Sequence, residues 1–377
     1  MDRTERRIGP ALARAVAIVA LAAFVLWAML PNGDAARIER RAECYDPARL
    51  PRVMERADGQ RAMRLSILLY NVEGLPFPAR LERKYELARI ADWLKRRRAA
   101  GHAPDILFLH KAFTPAASAI AKAGGYDWIL PGPSRRLRRN PVAAAPRPAG
   151  YDADAQWLKG EGAGKWLDSG LYIATDLPLF TRNIAPFSTA ACAGYDCLAN
   201  KGGMVATLIL PEVPEPLHIF NTHRNSREPS GVSKARAEAA HRIQTQENDR
   251  LLDDLMTGPI IAAGDFNMRR AGDEIGRFAS DPGFGLIAPR AGSSFAARSA
   301  EMTDDSAWSQ LQDLLGAKGG ARVELVPLAV TSLFDGVRGP RLSDHNATYA
   351  VVELRWSGDA PSLARFAPPP CPKPKPI

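Results

Sequence analysis

The sequence predicts an α/β layered domain, with mostly antiparallel sheets covered by helices. Three observations carry this. Strand-like apolar runs outnumber helical stretches. The helical stretches fall between groups of strands. Three of four short polar signatures end or follow an apolar run, which places them at strand ends. A chain of 377 residues with 46% hydrophobic content is ample for one large domain with a thick core.

The elements follow in order. Leu65 to Tyr70 is a short apolar strand. Leu81 to Arg97 has helical periodicity through Leu81, Tyr85, Leu87, Ala88, Ile90, Ala91 and Leu94. Ile106 to Leu109 is a buried strand after Pro104-Asp105, and Ala116 to Ala123 a helix ended by Gly124-Gly125. Gly170 to Ala174, Met204 to Leu210, Leu217 to Asn221, Ile260 to Ala263 and Ala350 to Leu354 read as strands, and Ser233 to Leu255 as a long polar-faced helix. No long-range repeat is apparent.

The flanks differ from this middle. Arg3, Arg6, Arg7 and Arg14 precede a small and apolar run from Ala15 to Leu30, which predicts a signal anchor, or alternatively a cleaved signal peptide, within residues 1–35. Residues 36–62 are charged and irregular and read as a linker, 63–357 as the folded domain, and 358–377 as an extended Pro-rich tail. The expectation is a membrane-anchored, extracytoplasmic (periplasmic or secreted) domain. Four cysteines fit an oxidising compartment. Cys192 and Cys197 bracket a turn-like stretch, and Cys44 and Cys371 flank the folded region, so these two pairs are the expected disulfides among three formal pairings. The absence of CxxC or paired-His spacing argues against zinc.

The net charge of +9 favours polyanions or anionic lipid headgroups, but modestly for this length. Much of it sits in runs at 95–98 and 135–139. No basic stripe interleaved with aromatics supports a nucleic-acid partner, which stays the less favoured one.

The four signatures are Tyr70-Asn71-Val72-Glu73-Gly74, Asn221-Thr222-His223, Gly264-Asp265-Phe266-Asn267 and Ser343-Asp344-His345. Phosphodiester hydrolysis needs a cation to screen the phosphate, a base for water, donors for the transition-state oxygens and carboxylates to orient the base. Asn, Asp, Glu and His at strand ends supply that set, with oxygen ligands suited to Mg²⁺ or Mn²⁺. Lesser echoes are Ser169-Gly170-Leu171-Tyr172-Ile173 and Asn200-Lys201-Gly202-Gly203.

Taken together, these motifs resemble the endonuclease/exonuclease/phosphatase superfamily, the DNase-like group that includes neutral sphingomyelinases. The resemblance spans most of Leu65 to Leu354. It implies a four-layer sandwich of two mostly antiparallel sheets flanked by helices. It implies a phosphodiester or phosphomonoester hydrolase, with a phospholipid headgroup or other phosphate ester as substrate and Mg²⁺ or Mn²⁺ as cofactor. Residue by residue, it implies that Asn71 orders the metal and phosphate shell, His223 donates to a phosphate oxygen, Asp265 positions or activates water, and Asn267 stabilises developing charge. Asp344 helps hold the metal or its water, and His345 is base or phosphate donor. An acid ahead of the last motif orients that histidine in the family, and Asp335 is the candidate. One position departs from the pattern: where the family has a Glu ligand after its second strand, this chain has Lys111. Glu73 is a candidate compensating ligand, giving Asn71, Glu73 and Asp344 as the expected metal set. Alternatively, the Lys111 ammonium replaces the metal's charge beside Asp265, Asp344 or Glu73, or catalysis is lost and a phosphate- or headgroup-binding module remains.

Overall fold

The computed structural model describes residues 39–255, 257–267, 285–286, 313–337, 339–358 and 363–372. The expected signal segment, 1–35, lies outside them. Among the described residues no helix is long and apolar enough to cross a membrane.

In chain order the elements are β1 (Arg40–Arg41), β2 (Val53–Glu55), β3 (Arg61–Gly74), α1 (Lys84–Ala99), β4 (Ile106–Ala112), α2 (Pro115–Ala123), β5 (Trp128–Pro131), β6 (Tyr172–Thr175), β7 (Leu179–Pro186), β8 (Gly202–Leu208), β9 (Leu217–His223), α3 (Lys234–Leu252), β10 (Ile260–Asp265), β11 (Gly285–Leu286), β12 (Asp313–Lys318), β13 (Glu324–Leu333) and β14 (Ala347–Trp356). The first sheet runs β1-β5-β6-β4-β3-β14-β13, with β2 added on β3; the second runs β11-β12-β10-β9-β8-β7. Each sheet holds one parallel pair, β3/β4 and β9/β10, among antiparallel neighbours. A helix links the strands of each pair, as a parallel connection requires.

Alternation along the strands builds the layers. Met63, Leu65, Ile67 and Leu69 of β3 join Ile106, Phe108, Ile219, Ile261, Ala263 and Leu315 in the core cluster that spans both sheets. The intervening Leu68, Tyr70, Leu107 and Leu109 pack with Leu87, Ile90, Leu94 and Ile120 of α1 and α2. Phe220, Ile260 and Ala262 of the second sheet pack with Leu251 and Leu252 of α3. Helix, sheet, sheet and helix give the four layers. Burying each such side chain contributes about 1.5–3 kcal/mol, so a register slip in any central strand, which would exchange its two faces, is strongly disfavoured.

Local signals set the helix starts. Thr114 caps α2, accepting from Ala117 N at 3.3 Å ahead of Pro115. Ser233 caps α3 by accepting from Arg236 N at 3.3 Å. The α1 helix starts at Lys84, not Leu81. Its buried stripe is Leu87, Ile90 and Leu94, while Leu81 and Tyr85, expected on the apolar face, are exposed.

The flanks are more ordered than expected. Residues 39–62, read as a linker, contribute β1 on β5 and β2 on β3. Cys44 pairs with Cys371, and Tyr45 bridges Pro370, so part of the Pro-rich tail is tied to the domain. Backbone pairing overrides the polar composition there. Cys192 pairs with Cys197, the second expected disulfide.

Candidate active site

The polar signatures continue the inward-facing strand registers. Positions 65, 67 and 69 lead to Asn71; 106 and 108 lead to His110; 217 and 219 lead to Asn221 and His223; 261 and 263 lead to Asp265. Asp313 opens β12 on the same face as Leu315 and Ala317, and its register partner is Asp265. Residues that would be core at mid-strand are polar where the two sheets open. All six are buried, and buried polar groups need partners.

Those partners knit the two sheets together. Asn71 Nδ2 donates to Asp265 Oδ2 at 2.9 Å and faces His345 Nε2 at 3.3 Å. Its carbonyl accepts from Ser343 Oγ at 2.7 Å, which fixes the loop carrying Asp344 and His345 against β3. His345 Nδ1 donates to Asp313 Oδ2. His110 donates from Nε2 to Asn221 Oδ1 at 2.5 Å and faces Asp313 Oδ1 with Nδ1 at 3.4 Å. Asn267 Nδ2 donates to the Arg224 carbonyl at 2.9 Å, and Asp265 Oδ1 accepts from the Asn267 amide at 3.3 Å.

His223 has a buried cation beside it. The Lys201 ammonium donates to His223 Nε2 at 3.0 Å, to the Arg224 carbonyl at 2.9 Å, and pairs with Asp196 Oδ1 at 2.8 Å. The same Nε2 lies 3.4 Å from Asp265 Oδ2, so this nitrogen faces both a buried cation and a buried carboxylate. The His223 Nδ1 is buried and, among the described residues, has no partner. Burial, with the charges of Lys201 and Lys111, holds the His223 pKa well below its usual 6.5. Asp196 lies inside the Cys192–Cys197 loop, so the disulfide closes the segment that neutralises Lys201.

The His345–Asp313 pair is polarised. Burial alone would raise the Asp313 carboxyl, but the His345 charge and the hydrogen bonds from His110 and His345 hold it well below the carboxylate range. Burial pulls His345 down; the charge and hydrogen bond of Asp313, helped by Asp265, pull harder, and its pKa rises above 6.5. Asp313 is therefore the acid bound to His345 Nδ1, the place expected for Asp335. Asp335 instead accepts from Val337 N in its own turn. Asp313 directly follows a span outside the described residues, and no motif marks it.

Lys111 and Glu73 differ from expectation in their partners. The Lys111 ammonium meets His345 Nε2 at 3.3 Å, not a carboxylate. Glu73, expected on one face with Asn71, sits at φ +52° beyond a register shift in the β3/β4 pairing. Its carboxylate pairs with Arg80, lies 3.7 Å from Arg83, and accepts from Asp344 N at 3.0 Å. The Asp344 carboxylate is partly exposed, 3.8 Å from His345 Nε2.

Asp265, Asp313 and His345 each place a ligand atom within 4.8 Å of the others, a possible acidic metal site. The fit to Mg²⁺ is poor. Mg²⁺ prefers oxygen ligands in near-ideal octahedral geometry, whereas one of these donors is a nitrogen. Asp313 is already bound to His345, and Glu73 is held by arginines. The Lys111 ammonium stands at the open edge of His345. Like charges about 4 Å apart repel by about 4 kcal/mol per unit charge at an effective dielectric of 20.

Neither a family model nor a curated protein sequence matches the chain. Solved structures do. A double mutant of beta toxin from Staphylococcus aureus, with bound magnesium ions, is 13% identical with a TM-score of 0.52, over 78% of this chain and 100% of that one. Sphingomyelinase C from Streptomyces griseocarneus is 19% identical with a TM-score of 0.52, over 79% of this chain and 99% of that one. SmcL is 18% identical with a TM-score of 0.50, over 77% and 98%. At these identities the likeness carries the fold. With two opposed sheets, a parallel pair at the heart of each and a shared polar mouth, this chain has the endonuclease/exonuclease/phosphatase fold.

Proposed function

We propose that this chain is a phosphoric ester hydrolase whose proton chemistry runs on the His345–Asp313 pair. One observation carries the reading: a histidine hydrogen-bonded to a buried carboxylate meets, at the joint mouth of two sheets, a second buried carboxylate held by Asn71. Asp313 fixes the His345 tautomer with the proton on Nδ1, and Nε2, faced by Lys111 and Asn71 at 3.3 Å, takes a proton from water once the substrate phosphate draws the Lys111 ammonium away. Asp265 positions that water beside the phosphorus. The water oxygen bonds to phosphorus, the bond to the leaving oxygen on the opposite side breaks, that oxygen takes a proton from solvent water, and His345 later returns its proton to solvent. His223, whose Nε2 faces Asp265, and the remaining amide hydrogen of Asn267 suit the phosphoryl oxygens as donors.

No step here passes through a metal. Asp265, Asp313 and His345 fit Mg²⁺ poorly, and Glu73 of the expected ligand set is held by Arg80 and Arg83. The substrate class that fits is a phosphodiester of the phospholipid-headgroup kind, since a sphingomyelinase C shares the fold. Nucleic acid remains the less supported ester. Two disulfides support an extracytoplasmic location, with the N-terminal segment as membrane anchor.

Lys111 favours a second reading, a silent phosphate- or headgroup-binding module, because it replaces the expected ligand. Turnover of a panel of chromogenic phosphodiesters and phosphomonoesters separates the two. The hydrolase reading expects a rate that vanishes in His345→Ala and Asp265→Asn. Substrate binding without turnover by the wild type would favour the module.

A further inference from the structure

We infer that Lys111 makes this pocket a phosphate site that works without a divalent ion, its ammonium taking the place and the charge of the cation. The inference rests on the reading above only in taking the ligand to be a phosphoryl group.

The position of Lys111 is the first argument. By strict alternation it follows Leu107 and Leu109 toward the helix layer. Its backbone instead has φ +50°, a region that costs a non-glycine residue about 1–2 kcal/mol. The side chain reaches His345 Nε2, on the mouth side of the sheet. An incidental lysine needs no such backbone.

The second argument is that the acids around it are already engaged. Glu73 holds Arg80 and the Asp344 amide, Asp313 holds His345 and faces His110, and Asp265 holds Asn71 and the Asn267 amide. Each of these three carboxylates accepts from a donor of this chain; the fourth, Asp344, is partly exposed and accepts from Ser343 Oγ at 3.2 Å. The third is that both histidines at the mouth present Nε2 to an ammonium, His345 to Lys111 and His223 to Lys201. Asp196 neutralises Lys201, so Lys111 is the ammonium of the two left to meet a phosphate oxygen. A lysine binds phosphate as a point charge and lacks the Lewis acidity of a metal, so turnover on such a site is slow.

The test is calorimetry on the full chain stripped with EDTA, with inorganic phosphate and MnCl₂ as separate titrants. Wild type is expected to bind phosphate without metal. Lys111→Met and Lys111→Gln should weaken this at least about tenfold, the scale of one charge-assisted hydrogen bond. Lys111→Arg should retain it, and Lys111→Glu should lose phosphate and gain Mn²⁺ binding. Thermal midpoints verify that each variant is folded, and the wild-type titration decides the main point without any variant. Phosphate binding only after Mn²⁺ is added overturns the inference and leaves the hydrolase reading standing with a metal. Equal phosphate binding by wild type and Lys111→Met overturns it too. Phosphate binding under neither condition overturns it, and the chromogenic panel then shows whether the hydrolase reading falls as well.

Discussion

In the first sheet the parallel pair β3/β4 ends in Glu73 at φ +52° and Lys111 at φ +50°, with the register broken between Asn71 and Gly74. In the second sheet the pair β9/β10 stays in register from Ile260 opposite His218 to Asp265 opposite His223. Its left-handed residue, Asn267, comes after the strand has ended. The regular mouth presents the buried groups suited to proton and phosphate handling. At the irregular mouth, Asn71 keeps its place, but Glu73 is tied to Arg80 and Lys111 stands against His345. The two mouths meet at His345, which stands ahead of β14 of the first sheet, donates to Asp313 of the second and touches Lys111. Asn71 joins them as well, since its one amide nitrogen reaches both Asp265 and His345.

The comparison breaks most readily at the proton-handling side. His345→Ala should lower kcat by about 10²–10⁴-fold, the usual contribution of a positioned general base. The wild-type rate should rise with pH as His345 loses its proton, with the midpoint above 6.5 because Asp313 raises that pKa. In Asp313→Asn the limb should move to lower pH. The linkage signs are opposite for the two partners. Asp313, depressed, stabilises the fold above the ordinary carboxylate pKa, and this is lost as pH falls through its folded value. His345, raised, stabilises below 6.5, and this is lost as pH rises through its folded value. A rate profile flat through this range would put the base elsewhere.

Next in size is Asp196→Asn. It removes the charge that neutralises Lys201 in a buried setting, and breaking such a pair costs about 3–5 kcal/mol. Both stability and turnover should fall, because Lys201 orients His223. Cys192→Ser with Cys197→Ser should act in the same direction but more mildly, as closing so short a loop is worth about 2 kcal/mol in the chain-entropy model. The Cys44–Cys371 bridge closes a loop of sequence separation 327, worth about 5–6 kcal/mol by the same relation. Its loss should destabilise the fold yet leave kcat nearly untouched, since it lies outside the mouth.

Strand-end chemistry was legible in the sequence because period-two alternation and polar termination occur within a few residues. Asn71, His223, Asp265 and Asn267 stand at such strand ends, His345 is marked by the resemblance alone, and the five do meet. Asp313 was not found, because it becomes a site residue only through its register opposite Asp265, a long-range pairing with no local mark. Lys201 was visible inside the Asn200-Lys201-Gly202-Gly203 echo, but its role depends on Asp196 and His223 converging on it. The strands β1 and β2 were missed because the backbone ladder, not apolar side chains, orders them. Glu73 was misdirected by the assumption that β3 continues straight. Its left-handed backbone is invisible in a residue that is neither Gly nor Asn.

The smallest expected effect falls on Glu73, and it sharpens the contrast most. Glu73→Gln keeps the side chain's volume and an acceptor for the Asp344 amide, but removes the charge facing Arg80 and Arg83. Arg80 is about half exposed, so solvent already screens much of that pair, and the loss in unfolding free energy should be about 1 kcal/mol. Because both carboxylate oxygens serve the protein's own donors, kcat should change less than about threefold, well short of the cost of a lost positioned base. Denaturant titration and steady-state rates with and without Mn²⁺ measure both quantities. A collapse of turnover in Glu73→Gln, together with loss of any Mn²⁺ activation, would show that Arg80 yields to a metal during catalysis. The two mouths would then form a single cation site, with Lys111 at its border and not at its centre.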